Sequence, residues 1–307
     1  MEKVSFEYDL SQEGKVKGFV WLKEQSIHKG VVLICHGMAE HINRYDNFCR
    51  FLADNNYIVY GYDQRGHGSN VEDVKDIGYI SDTNHFEILV SDVYEMVNHI
   101  KKNNPNIPII LFGHSLGSFI SQRFIELYGT IINGVILSGT TMNNSFTINS
   151  GLVVTKIINR LKGRKYRSKF VHNLSIGSYN KKFKPNRTPS DWLSKNEDIV
   201  DEYNSDKYCG GIFPASYYMD LLEGFKNINK NIEIIPKDLP IYMFSGEKDP
   251  VGAMGKNVTK LYNKYKVSGI KSVTLKLYKD GRHEMLNELN KEDVYNDVLE
   301  WLNSNFK

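Results

Sequence analysis

The stretch Ile109-Ile110-Leu111-Phe112-Gly113-His114-Ser115-Leu116-Gly117-Ser118-Phe119 reads as a buried strand that breaks at a turn and restarts as a helix. Gly113-His114-Ser115-Leu116-Gly117 is G-x-S-x-G, and between a strand and a helix that motif is a nucleophile elbow. The turn is tight, so flanking glycines are needed to avoid side-chain clashes. It pushes Ser115 Oγ out of the sheet and sets the Leu116 N–H at the positive end of the helix. The same five residues also suit a glycine-rich turn whose serine caps a helix. The decision therefore rests with the rest of the chain.

Outward from this turn, strands and helices alternate. Continuous apolar runs at 31–35, 58–63 and 134–139 fit strands buried on both faces. Helical spacing marks helices over 45–55 and 86–102, the second stopped by Asn103-Asn104-Pro105. Ahead of them, apolar and polar residues alternate over 4–21 around Ser11-Gln12-Glu13-Gly14, a hairpin signature. This order implies an α/β fold with a mostly parallel sheet and right-handed crossovers. At Thr140 the alternation breaks. A helix is expected over 152–161, a Ser-capped helix start at Ser190-Asp191-Trp192-Leu193, a turn at 209–214 and a helix over 216–225. Strands at 239–246 and 272–278 and helices at 255–265 and 292–303 resume the pattern. The expected organisation is a core of residues 1–139 and 226–307, with a helical cap inserted at 140–225.

Three polar residues follow the C-terminal ends of expected parallel strands: Ser115, Asp249 and His283. Parallel sheets place their sites there, and the order Ser, Asp, His accompanies the G-x-S-x-G elbow. A serine hydroxyl is a weak nucleophile until a base takes its proton. His283 suits that role near neutral pH, and Asp249 would hold the imidazole in the right tautomer. Asp220 and Asp280 compete for the acid position. Asp220 lies in the expected cap and Asp280 only three residues before His283, whereas Asp249 follows a core strand and precedes a proline. Negative charge developing on a carbonyl oxygen needs backbone donors. Leu116 N–H is one, and Met38 N–H, beside Gly37 after the 31–35 strand, is the second candidate.

Composition excludes other classes. With 307 residues, 41% hydrophobic and 24% charged, the chain is ordinary for a globular protein. No apolar stretch spans a membrane, and the first residues lack the apolar region of a signal peptide, so a cytoplasmic protein is expected. Cys35, Cys49 and Cys209 show no metal-binding spacing and are expected to be free thiols. No metal, cofactor or nucleic-acid partner is expected. The net charge of +3 conceals a division. Residues 151–190 hold eleven Lys/Arg and no Asp or Glu, so the remainder sums to −8. A basic segment in an otherwise acidic chain suits anionic surfaces such as phospholipid headgroups, hence an expectation of peripheral membrane contact, although such runs are commonly just solvated.

Several motifs together resemble the monoacylglycerol lipase and lysophospholipase branch of the α/β-hydrolase superfamily, over nearly the whole chain. They are His36-Gly37-Met38-Ala39-Glu40-His41 with Arg44-Tyr45, Asp63-Gln64-Arg65-Gly66-His67-Gly68, the elbow itself, Gly246-Glu247-Lys248-Asp249-Pro250-Val251, and His283-Glu284. Asp191-Trp192-Leu193-Ser194 and Asp220-Leu221-Leu222 in the cap also look like this branch. The resemblance implies an α/β-hydrolase fold and cofactor-free hydrolysis of lipid esters with one acyl chain. It makes Ser115 the nucleophile, Asp249 the acid, His283 the base, and Met38 and Leu116 the oxyanion donors. The chain departs at Ala39, where the branch often has Gly, and at Asn70, where it often has Ser. Leu152, Ile157 and Cys209 are candidates for lining the substrate pocket. His36, Glu40, His41 and Arg44 are expected to hold the oxyanion loop by hydrogen bonds, with His67 and His114 structural. Two other readings stand beside this one: a peptidase, amidase or acyltransferase with the same triad, and a low-turnover ligand-binding protein on the same fold.

Overall fold

Among the described residues, eight strands form one sheet in the order β1-β2-β4-β3-β5-β6-β7-β8. They are β1 (Glu2–Leu10), β2 (Gly14–Leu22), β3 (Gly30–Cys35), β4 (Tyr57–Tyr62), β5 (Ile109–His114), β6 (Gly134–Ser138), β7 (Ile241–Gly246) and β8 (Val273–Tyr278). The structure is a computed structural model that describes residues 1–11, 14–24, 26–81, 85–143 and 145–306. From β4 to β8 all neighbours are parallel, while β1 and β2 form an antiparallel hairpin that β2 attaches to β4. Gln12 and Glu13 of the hairpin turn lie outside the described residues.

The apolar runs are continuous because the central strands are covered on both faces. In β3, Val31, Leu33 and Cys35 enter one core, and Val32 and Ile34 the other. Ile109 and Leu111 against Ile110 and Phe112 repeat this in β5, and Ile241 and Met243 against Tyr242 and Phe244 in β7. Helices α2 (His85–Asn103), α3 (Leu116–Tyr128) and α8 (Lys256–Val267) close the first core, and α1 (Asp46–Asp54) and α9 (Lys291–Asn305) the second. Burying one such side chain contributes roughly 1.5–3 kcal/mol, so runs apolar on both faces are driven to the middle layer. β8, at the sheet edge, alternates instead, with Thr274 and Lys276 exposed.

Between β6 and β7 lie α4 (Ser145–Lys162), α5 (Lys169–Leu174), α6 (Glu197–Ser205) and α7 (Ala215–Phe225). α4 packs on α7, and α7 on α2. One expectation fails here. Ser190–Leu193 is a turn, and the helix begins at Glu197. Side chains take the backbone groups a helix would need. Asp191 accepts from the N–H groups of Arg187 (2.6 Å) and Thr188 (3.0 Å), and Trp192 N–H donates to Asn180 Oδ1 (3.0 Å). Such local side-chain bonds compete with helix formation.

Candidate active site

The elbow is built as its sequence requires. Ser115 has φ 50° and ψ −115°, a strained conformation for a non-glycine residue, between the last residue of β5 and the first of α3. Its N–H donates to Ser138 O at 2.9 Å, tying the turn to β6. The glycines serve close approach rather than left-handed backbone. A Cβ on Gly117 would lie 1.9 Å from Cys35 O, and one on Gly113 2.3 Å from Gly117 O. α3 therefore starts directly against the end of β3, where the loop carrying Met38 begins. Leu116 opens α3, so its N–H has no intrahelical acceptor.

His283 Nδ1 lies 3.0 Å from both carboxylate oxygens of Asp249. Asp249 is fully buried and completes its bonds with Ser245 Oγ–H (2.8 Å) and Val251 N–H (2.9 Å). Their two loops are stitched together, with Lys248 N–H donating to Gly281 O at 2.8 Å. Burial by itself pushes the His283 pKa down, but the Asp249 carboxylate, with Glu284 and Glu40 beyond it, outweighs burial and the net shift is upward. Burial likewise raises Asp249, and the His283 imidazolium outweighs that, leaving it lowered. The ring of His283 sits between two others, His114 at 4.8 Å and Trp192 at 4.9 Å between centroids. Gly139, at φ 57°, lets the ring approach, since a Cβ there would meet His283 Cε1 at 2.8 Å. The competing acids stand elsewhere. Asp220 pairs with Arg164 (2.9 Å) and His85 (3.2 Å), and Asp280 is an exposed turn residue.

Beside Ser115, a Cβ on Gly37 would touch Ser115 Cβ at 3.2 Å and Glu40 Oε1 at 2.5 Å. Glu40, Arg44 and His36 hold the loop, with Tyr45, while His41 reaches Asp206 instead. Glu40 Oε1 accepts from Gly37 N–H (2.6 Å) and Tyr45 O–H (2.7 Å), and Glu40 Oε2 from Arg44 (2.8 Å). Arg44 also forks onto Glu284 with two bonds of 2.7 Å, and holds that carboxyl down to about 2 against the effect of burial. His36 Nε2 accepts from Gln64 N–H at 2.9 Å, so the ring is neutral, with burial pushing it down to about 4. Ala39 sits at φ 61°, in the left-handed region. The branch's preference for Gly there has a backbone cause, and alanine costs of order 1 kcal/mol.

The substrate-lining candidates separate. Leu152 is buried on α4, but Ile157 on the same helix is 53% exposed, so the expectation that it lines a pocket is corrected. Cys209 lines a cavity of about 530 Å³ with Ile77, Arg167, Ile212 and Phe213, whose lining includes none of Ser115, Asp249 or His283. Cys35, Cys49 and Cys209 are free. Apolar patterning does not mark Gly139, Trp192 or Ser245 as contacts of the pair: Gly139 and Trp192 reach His283 from distant segments, and Ser245 reaches Asp249 from the end of β7, four residues before it. Glu284, directly after His283, joins the site through Arg44.

A β5–Ser115–α3 elbow in a mostly parallel eight-stranded sheet, with an Asp–His pair after β7 and β8, defines an α/β-hydrolase. Residues 26–290 match the hydrolase family described as serine aminopeptidase, S33. The chain belongs to that family. Within it, the chain is similar to monoglyceride lipase of Mus musculus, 27% identical over 289 residues, covering 92% of this chain and 84% of that protein. It is also similar to monoacylglycerol lipase of Mycolicibacterium smegmatis, 26% identical over 280 residues, 89% of this chain and 88% of that one. Among solved structures it resembles a thermostable carboxyl esterase from Bacillus coagulans in complex with glycerol (TM-score 0.88, 23% identity, 99% of each chain). It also resembles a soluble variant of monoglyceride lipase from Saccharomyces cerevisiae with a substrate analog (TM-score 0.76, 18% identity, 100% of this chain and 96% of that one). These structural likenesses carry the fold.

Proposed function

We propose that the protein is a serine hydrolase that cleaves the carboxylic ester of a single-chain lipid, a monoacylglycerol or lysophospholipid, through an acyl-enzyme. Ser115 Oγ attacks the ester carbonyl while His283 Nε2 takes its proton. The N–H groups of Met38 and Leu116 receive the charge on the carbonyl oxygen, each worth roughly 3–4 kcal/mol in the transition state. His283 then protonates the departing alcohol, and water repeats the sequence to release the fatty acid. Asp249 stabilises the imidazolium throughout. The observation that carries this reading is the buried His283–Asp249 pair beside the strained Ser115. The names of the relatives support the ester class.

The segment 140–225 is the part we assign to a cap over the site. Glu284 N–H donates to Leu193 O at 2.8 Å, and Trp192 lies on the His283 ring. On α4, Phe146, Val153, Ile157 and Leu161 are 81%, 60%, 53% and 73% exposed, flanked by Lys156, Arg160 and Lys162. An exposed apolar stripe with basic neighbours suits the interface of an anionic membrane. Among the described residues no helix is long and apolar enough to cross one.

The test is turnover of monoacylglycerol and of short p-nitrophenyl esters by Ser115→Ala, with fluorophosphonate labelling of the unaltered enzyme read by intact mass. The unaltered enzyme is expected to take up one label and Ser115→Ala to lose both turnover and labelling; retained turnover in Ser115→Ala overturns the assignment. The family description favours a second reading, a peptidase. Aminoacyl arylamides run against acyl glycerols separate the two. The absence of Asp and Glu from 151–190 argues for the glycerides, because a substrate amine needs acidic partners.

A further inference from the structure

The loop carrying Met38 meets the segment between β6 and β7 at a set of side chains apart from Ser115, Asp249 and His283. His41 follows Glu40 in that loop, and its Nε2 lies 2.8 Å from Asp206 Oδ2. The ligand atoms of His41, Asp206 and Cys209 all lie within 4.8 Å of one another. Asp206 and Cys209 belong to one turn, closed by Cys209 N–H donating to Asp206 O at 3.1 Å. Gly210 and Gly211 follow at φ 70° and 84°, and Gly210 N–H donates back to Ala39 O at 2.9 Å. The two segments thus present an imidazole from one side and a carboxylate and a thiol from the other.

We propose that His41, Asp206 and Cys209 bind a zinc-like divalent cation, which clasps the oxyanion loop to the segment at 206–211. Imidazole, carboxylate and thiolate are all zinc ligands, and the thiolate selects against calcium and magnesium. A tetrahedral centre sets such donor atoms about 3.3–3.6 Å apart. The His41–Asp206 contact would open by roughly half an ångström, and no pair would have to close by more than about 1.5 Å. The Asp206 side chain is 33% exposed, so it can shift toward the partly buried His41 and Cys209, and water can take the fourth position. Asp206 is already oriented, its Oδ1 accepting from Tyr208 N–H at 2.8 Å. Of the nearby cations, Arg44 is neutralised by Glu40 and Glu284, and Lys207 lies over the Tyr208 ring. Binding replaces the S–H bond of Cys209 by an S–metal bond and releases one proton to solvent, while His41 gives up the Nε2 proton it shares with Asp206 and carries its proton on Nδ1, so that the Nε2 lone pair faces the cation. Asp206 and the thiolate then balance the charge of the cation.

The site does not depend on the hydrolytic reading, and its test does not read hydrolysis. Chelator-stripped full-length protein is titrated with Zn2+ by calorimetry and with Co2+ by absorption, for the unaltered chain, Asp206→Asn and Cys209→Ser. One cation per chain is expected, with a thiolate-to-cobalt band in the near ultraviolet and a Tm raised by a few degrees under Zn2+ but not under Mg2+ or Ca2+. Asp206→Asn should weaken binding at least tenfold, and Cys209→Ser should lose the band. No binding, or unchanged affinity in Asp206→Asn, overturns the proposal. Should Cys209→Ser not fold, Asp206→Asn and the cobalt spectrum of the unaltered chain decide it.

Discussion

In the proposed reaction the chemistry rests on three single residues, Ser115, His283 and Asp249. As the proposed base His283 has to be neutral, and against the effect of burial the Asp249 carboxylate holds its pKa above the ordinary histidine value. Turnover should therefore rise with pH through a midpoint above about 6.5. Asp249→Asn removes the charge that raises it. The rising limb should then move to lower pH, and kcat should fall by about 10⁴-fold. A pH–rate profile of kcat/KM for the two proteins checks both points, and an unmoved limb would mean that another group titrates. Neighbouring rings behave differently. Burial pushes His114 down to about 4 and His67 to about 3, which suits a structural role rather than proton transfer.

At the scale of elements, the site depends on how closely α3 approaches β3. A glycine-to-alanine change within a helix ordinarily stabilises by about 0.5–1 kcal/mol. At Gly117 the sign reverses, because the added carbon would lie 1.9 Å from Cys35 O, a backbone atom that cannot rotate away. We expect Gly117→Ala to destabilise by about 1–3 kcal/mol through overpacking, and to lower kcat more than it raises KM as the elbow and the Met38 loop separate. Urea unfolding and steady-state kinetics measure the two effects. Elements also show where sequence patterns were legible. The G-x-S-x-G turn, the apolar runs of β3 and β5 and the spacing of α2 each follow from local sterics and burial. The turn at Ser190–Leu193 did not, because the bonds from Asp191 and Asn180 that hold it involve side chains a pattern of apolar residues does not weigh.

For the whole molecule, two expectations concern acid and membranes. His36, His67 and His114 are buried and held near 4, 3 and 4. A group lowered on folding contributes stability above its unfolded value of about 6.5, and loses it as pH falls toward the folded value. Each can cost up to about 2 kcal/mol at pH 5. Thermal unfolding should therefore move to lower temperature between pH 6.5 and 5, as calorimetry across that range would show. His283 has the opposite sign, contributing stability below about 6.5 that is lost as pH rises through its raised value. The exposed stripe on α4 should bind anionic vesicles, more weakly at high salt. The pair Val153→Asp and Leu161→Asp should reduce vesicle pelleting several-fold while leaving thermal stability unchanged. Pelleting equal to that of the unaltered protein would remove α4 from the contact.

Sequence alone determined the α/β class, a mostly parallel sheet, and the Ser115, Asp249, His283 succession. Each is written in local terms: two-faced apolar runs, a turn that needs small flanks, and polar residues after strand ends. Tertiary structure decided the rest. It paired Asp249 rather than Asp220 or Asp280 with His283, set Trp192 on that ring, and turned Ile157 outward while burying Leu152. It also brought His41 to Asp206 and Cys209 across more than 160 positions of chain. Such contacts join segments far apart in sequence. Their energies depend on distance and burial, and both exist only once the whole chain has folded.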